Sequence, residues 1–164
     1  LTAKIIEHEG SQTEVANLAA VQRIEAWLEA SINTYQTIGV ETVLSSPKYL
    51  RLVDLAHDKG FIVRMLYVVL NSVEAQYERV AIRVRTGGHD VPRDKIAARR
   101  TRSFEMLGEF FGKLDELFIF DNSGGEPDLI ASKSAGALVA LRTLPPDLLD
   151  ALNLAEVRIA RFEG

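Results

Sequence analysis

The sequence predicts an α/β protein with a mainly parallel sheet and flanking helices. Three segments rich in β-branched or aromatic residues, 37–44, 61–70 and 117–120, have the composition of strands. Segments with apolar residues every three or four positions separate them, as expected for helices between parallel strands. The 164 residues, 47% of them hydrophobic, are enough for one domain spanning 1–164 with a substantial core.

The helix boundaries follow from capping and breaking residues. Ser11 and Glu14 form a capping box, which predicts an amphipathic helix from Ser11 to Ile32. Pro47 favours the start of a second helix, and Gly60 its end. The strand that follows, 61–70, is almost continuously apolar, so we expect helices on both of its faces.

A single acidic residue, Glu41, interrupts the predicted strand 37–44. A carboxylate at the carboxyl end of a parallel strand would face the crevice in which open α/β sheets bind their ligands. Alternatively, 37–44 is an edge strand whose Glu41 points to water. The residues alone favour neither interpretation.

Residues 79–102, called the arginine segment below, contain eight of the 19 basic residues and two of the 23 acidic ones. The segment therefore carries a net charge of +6, whereas the rest of the chain carries −10. Ser72 is the predicted N-cap of a helix over 72–85, which Gly87-Gly88 end, and a second helix starts after Pro92 and runs to about residue 113.

The arginines repeat at helical spacing. Arg79 and Arg83 share one face of the first helix, and Arg99 and Arg102 share one face of the second. The four guanidiniums could converge on one anion, and arginine suits bidentate contact with phosphate oxygens. The alternative is that they lie on solvated helix faces with glutamate partners.

The rest of the chain predicts less chemistry. A strand over 117–120 ends in a turn from Asp121 to Gly125, a short edge strand covers 128–132, and a short helix covers 147–152. The absence of cysteine excludes disulfides, cysteine-ligated zinc and a thiol nucleophile, and it is compatible with the cytoplasm. No apolar run approaches a membrane span, and the acidic remainder argues against nucleic-acid binding.

Five motifs, in order, carry a resemblance to a known family. They are ETVLS at 41–45, KYLRLVDLAHDKGF at 48–61, RVxxRVxxGGHxVP at 79–92, IxxRxxRS at 96–103 and FDNSG at 120–124. Over residues 15–131 the chain resembles the zeta-toxin-like P-loop kinases, which are similar in fold to adenylate kinase. The resemblance implies ATP and Mg²⁺ as cofactors and a lid over about 79–103.

The resemblance also implies roles for single residues. Arg83 and Arg99 would neutralise the transferring phosphoryl group, and Glu41 and Thr42 would line the acceptor pocket. Nucleotide contacts would come from Arg79, Arg85, Arg102 and Asn122, the last near the adenine. No metal ligand is expected among the 164 residues.

One required motif is absent, because the sequence contains no GxxxxGK[ST] phosphate loop. We therefore expect the first strand and that loop to lie before Leu1, and the 164 residues alone to be inactive. The predicted function is ATP-dependent phosphorylation of a hydroxyl on a small molecule, for example a nucleotide sugar such as UDP-N-acetylglucosamine. The alternative is a non-catalytic anion- or nucleotide-binding remnant of such a kinase, or a toxin-type partner of an antitoxin.

Overall fold

The computed structural model describes the backbone of residues 13–161 and the side chains of residues 19–161. The helices are α1 (Thr13–Asn33), α2 (Leu50–Asp58, preceded by a 3-10 turn at Pro47–Tyr49), α3 (Val73–Arg85), α4 (Arg93–Phe111) and α5 (Pro146–Leu154). The strands are β1 (Arg64–Val69), β2 (Glu116–Asp121), β3 (Asp128–Ser134), β4 (Ala137–Ala140) and β5 (Ile159–Arg161). These elements belong to two compact units, one of residues 13–41 and 51–61, the other of residues 42–50 and 62–161.

The first unit consists of α1, the chain that follows it and most of α2. The predicted first helix is confirmed over Thr13–Asn33, while the predicted capping box at Ser11 lies outside the described residues. Arg51 on α2 forms an exposed ion pair with Glu29 on α1 at 2.7 Å. Gly60 ends α2 in the left-handed region, at a φ of 78°, as predicted for a helix-terminating glycine.

The second unit is built on a five-stranded sheet in the order β1-β2-β3-β4-β5. β1 and β2 are parallel, as are β4 and β5, while β3 is antiparallel to both of its neighbours. The prediction of a mainly parallel sheet is therefore wrong, and the sheet is mixed. The cause is a two-residue turn at Ala135-Gly136, where both φ angles are positive, which joins β3 to an unpredicted β4 in a hairpin.

Two predictions about strand position are also wrong. β3 covers the predicted strand at 128–132, but it lies between β2 and β4 instead of at an edge. The segment 61–70, predicted to be a strand with helices on both faces, is shorter and forms β1, which lies at an edge of the sheet within residues 13–161. One face of β1 is open, because Leu66 and Val68 are 65% and 59% exposed.

The segment 37–44 is not a strand. Its backbone has no regular structure, and Val40 and Val43 are exposed. β-branched residues favour an extended backbone, but a strand forms only where a neighbouring strand accepts its hydrogen bonds, and none pairs with 37–44 among residues 13–161. The interpretation of Glu41 as a carboxylate at the end of a parallel strand is therefore wrong.

Helices α4 and α5 pack together beside the sheet and form the core of the second unit with it. The most deeply buried residues include Leu107 and Phe110 of α4, Leu148 and Leu152 of α5, and Leu117 and Ile119 of β2. Gly108 permits close packing of the two helices, since a Cβ there would lie 2.5 Å from the Cβ of Ala155. No helix within the described part of the chain is long and apolar enough to cross a membrane.

Candidate functional site

The candidate site begins at the carboxyl ends of the parallel strands β1 and β2. Val69 and Asp121 are register partners at these ends. The two following loops are tied together, because the Asn71 amide donates to the Ser123 hydroxyl at 2.7 Å and the Ser123 amide donates to Asp121 at 2.8 Å. Open α/β sheets bind ligands outside such strand ends.

A helical arm, defined here as residues 73–99, rises from this end of the sheet. It contains α3, the turn at 86–92 and the first two turns of α4, and none of its residues is buried. Ser72 caps α3 by accepting a hydrogen bond from the Ala75 amide at 3.2 Å, as predicted. Arg93 of α4 lies over the ring of Tyr77 of α3, 5.0 Å from its centroid, and links the two helices of the arm.

Arg79 connects the arm to the carboxyl end of β2. Its guanidinium donates to the backbone carbonyl of Asn122, directly after β2. Two residues that the resemblance assigns to one nucleotide site therefore lie in contact, although the contact uses the Asn122 backbone and not its side chain.

Arg83 is held differently, against the turn of its own arm. Its Nη2 donates to the His89 carbonyl at 3.2 Å, and its own carbonyl accepts from the Gly88 amide at 2.9 Å. Gly87 has a φ of 92°, so the turn requires the left-handed conformation that glycine adopts without strain. Arg79 and Arg83 thus share a face of α3 but contact different backbone carbonyls.

The other predicted site residues are exposed. Arg85 lies on α3, and Arg99 and Arg102 lie on α4. Glu41 and Thr42 lie on the irregular segment between α1 and α2, where the Thr42 hydroxyl accepts from the Leu44 amide at 3.1 Å.

Arg100 is the buried member of the arginine segment, and the sequence analysis gave it no separate role. It is 4% exposed, and its Nε and Nη2 donate to the two carboxylate oxygens of Asp147 at 2.5 and 2.9 Å. Its Nη1 donates to the Leu70 carbonyl at 2.9 Å, and its guanidinium lies 4.6 Å from the centroid of the Phe104 ring. Asp147 had been placed in a helix without chemistry, and no local pattern could have paired it with a residue 47 positions away.

A chain of buried hydroxyls lies one turn along α4. Ser103 donates to the Val43 carbonyl at 2.9 Å, so the Tyr67 hydroxyl, 2.7 Å away, donates to Ser103. Burial raises the pKa of Tyr67 to about 12, and the Ser103 hydrogen bond and the charge of Arg100 only partly offset it. The pKa of Asp147 is shifted in the opposite direction. Partial burial raises it, but the hydrogen bonds and the charge of Arg100 lower it by more, so the pKa lies below its usual value.

Gln76 contributes a polar atom that the sequence analysis missed. Its Oε1 is buried, and it has no hydrogen-bond partner among the residues whose side chains are described. Gln76 lies three and seven residues before Arg79 and Arg83, on the same face of α3. Buried polar atoms normally have partners, so this unpaired oxygen is an exception within the arm.

Comparisons with known proteins assign no family. No protein-family model and no solved structure matches the chain. An uncharacterized protein from Haemophilus influenzae is 26% identical over 85 residues, which are 52% of this chain and 61% of that protein. The chain thus matches less than two thirds of that relative, and none of these comparisons supports the resemblance to the zeta-toxin-like kinases.

Proposed function

We propose that this chain is part of an ATP-dependent phosphotransferase whose helical arm closes as a lid over the triphosphate. The observation that carries the proposal is the contact of Arg79 with the Asn122 carbonyl, because it brings an arginine-rich helix to the carboxyl ends of two parallel strands. Phosphoryl transfer depends chiefly on positioning and on the neutralisation of charge on the transferred group, which fixed arginines supply.

The exposed guanidiniums suit the roles that the motifs suggest. Arg83 and Arg99 would contact the transferring phosphoryl group, while Arg79, Arg85 and Arg102 would contact the other phosphates and Asn122 would lie near the adenine. Magnesium would neutralise the β- and γ-phosphates when bound, and residues 13–161 offer no cluster of His, Asp and Glu suited to hold it.

The acceptor in this proposal is a small hydroxylated molecule, for example a nucleotide sugar such as UDP-N-acetylglucosamine. Glu41 and Thr42 are exposed, and the Glu41 carboxylate could accept hydrogen bonds from its hydroxyls. Dependence on ATP favours the cytoplasm as the location.

The sheet offers a position for the phosphate loop that the 164 residues lack. In the described part of the chain, β1 has a parallel neighbour on one edge and none on the other. Its exposed Leu66 and Val68 are the apolar residues expected where a further helix packs on the sheet. We propose that a strand bearing GxxxxGK[ST] pairs with β1, either from the same polypeptide or from a partner.

The test is transfer of the γ-phosphoryl group of ATP to a panel of nucleotide sugars and free sugars by a protein that carries the loop. Arg83→Ala and Arg99→Ala should each lower kcat about 10²-fold or more, because they remove charge that stabilises the transition state. Arg158→Ala is the matched control, since this exposed arginine contacts the Ala135 carbonyl at the opposite end of β3 from Asp128. Normal turnover by both arm variants would contradict the lid assignment.

A second function, non-catalytic binding of an anion or nucleotide, is favoured by one observation, the absence of the phosphate-loop lysine from the sequence. In that case the same protein would bind triphosphates through the arm without transfer to any acceptor. The remaining alternative is a toxin-type protein that binds an antitoxin.

A further inference from the structure

The arm has two ends, and one side-chain hydrogen bond joins them. Leu70 lies just before α3, where the chain leaves β1, and Arg100 lies on α4, where the chain returns to the core. The hydrogen bond from Arg100 Nη1 to the Leu70 carbonyl, 2.9 Å long, therefore joins the outgoing and returning ends of the arm directly.

Burial changes sharply at the same residue. No residue from 73 to 99 is buried, whereas the buried residues of α4 begin at Arg100 and continue with Ser103, Phe104 and Leu107. The arm is thus held by few apolar contacts of its own, and its direction depends on how α4 is fixed where it enters the core.

Asp147 completes the attachment from a third element. The carboxylate binds the Arg100 guanidinium through both oxygens and also accepts from the Leu148 amide at 3.1 Å, in the first turn of α5. Bidentate arginine–carboxylate geometry fixes the plane of the guanidinium, and the Phe104 ring beneath it fixes its position.

We propose that Arg100 is a positioning residue that clamps both ends of the helical arm, and that Asp147 holds the clamp in place. In the clamped state the two ends of the arm are held together at Leu70 and Arg100. The role of the clamp in directing arginines at an anion rests on the function proposed above, whereas the clamp itself can be tested in the protein without any ligand.

The experiment is amide hydrogen exchange of the 164-residue chain and its variants. Asp147→Asn removes the charge but keeps the size of the side chain, and it should speed exchange in the arm about tenfold while β2 and β3 change little. Asp128→Asn is the matched control, since Asp128 pairs with Arg142 at 3.5 Å with both side chains exposed, and it should change neither region.

A second variant separates the clamp from general stability. Arg100→Met combined with Asp147→Leu replaces the pair with apolar side chains, which proteins often tolerate, but leaves the Leu70 carbonyl without its donor. The arm should still exchange about tenfold faster than in the wild type while the strands remain protected.

Two results would overturn the clamp: an arm that exchanges at the wild-type rate in these variants, or an arm and strands that accelerate by the same factor. Inorganic tripolyphosphate, added to the wild type at low salt, should slow exchange in the arm if its arginines bind anions. If tripolyphosphate has no effect, the proposed function is contradicted. The clamp is still tested by the comparison of exchange rates between the variants and the wild type.

Discussion

Tyr67, Ser103, Arg100 and Asp147 show how single residues of this protein balance burial against hydrogen bonding. Tyr67 and Arg100 are nearly removed from water, and each has its polar atoms placed on a partner. A buried polar group without such a partner would destabilise the fold by about 1–3 kcal/mol. The four residues therefore stabilise the attachment of α4 to the sheet only as long as their partners are present.

Tyr67 gives the stability of the protein a dependence on alkaline pH. Its pKa in the folded chain is about 12, above the usual tyrosine value of 10.0, so the folded state retains a proton that the unfolded state releases. The stabilisation is complete below pH 10 and is lost as the pH rises toward 12, by about 2–3 kcal/mol at most.

Urea unfolding between pH 9 and 12 measures this loss. Tyr67→Phe should be less stable than the wild type by about 1 kcal/mol at neutral pH, because the Ser103 hydrogen bond is gone, and should decline less steeply above pH 10. Tyr35→Phe is the control and should keep the wild-type slope, since Tyr35 is 69% exposed. Equal slopes in Tyr67→Phe and the wild type would show that Tyr67 is not the titrating group.

At the scale of elements, the local signals in the sequence were sufficient for the arm. Ser72 as a cap, Gly87-Gly88 as the end of the first helix and Pro92 before α4 were predicted from residue type, and each acts through backbone atoms within a few residues. The strand predicted over 37–44 did not form, because a strand depends on a neighbouring strand that its own residues do not specify. The role of Arg100 was missed on the same ground, since its partner is distant in sequence.

The turn of the arm supplies a prediction about glycine. Gly87→Ala places a side chain at a φ of 92°, which should destabilise the arm by about 1–2 kcal/mol. Gly88→Ala adds a Cβ that would lie 2.6 Å from Arg83 Cγ and 2.9 Å from the Arg83 carbonyl oxygen, so Arg83 must move.

Thermal unfolding and exchange of the arm amides measure both effects. Gly112→Ala is the matched control, because that glycine ends α4 at a φ of −63° with nothing within 4 Å of an added Cβ, and it should cause no loss. If Gly87→Ala and Gly88→Ala leave the arm as protected as Gly112→Ala does, the turn is not constrained as described.

At the scale of the whole molecule, the sequence has a strongly basic segment but lacks the phosphate loop that would complete a triphosphate site in a P-loop kinase. The arginine segment carries +6 in a chain of net charge −4, but a P-loop kinase holds magnesium and the β- and γ-phosphates chiefly through its glycine-rich loop and lysine. The complementary feature on the sheet is β1, which has no strand on one edge among residues 13–161 and has exposed apolar side chains on one face. If the proposed function is right, the 164 residues alone should attract anions only electrostatically.

Calorimetric titration of the 164-residue chain with ATP tests this division. Binding should be weak, should not require magnesium, and should weaken further as salt rises from 50 to 200 mM, because exposed charges are screened over about 10 Å at 0.1 M ionic strength. Arg99→Ala should reduce the binding and Arg158→Ala should not, since Arg158 lies outside the arginine segment. A protein that also carries GxxxxGK[ST] should gain magnesium-dependent affinity, because that motif supplies the amides, the lysine and the hydroxyl that the triphosphate and its metal require. Tight, magnesium-dependent binding by the 164 residues alone would mean that they contain a phosphate site of another kind, and the requirement for the loop would be wrong.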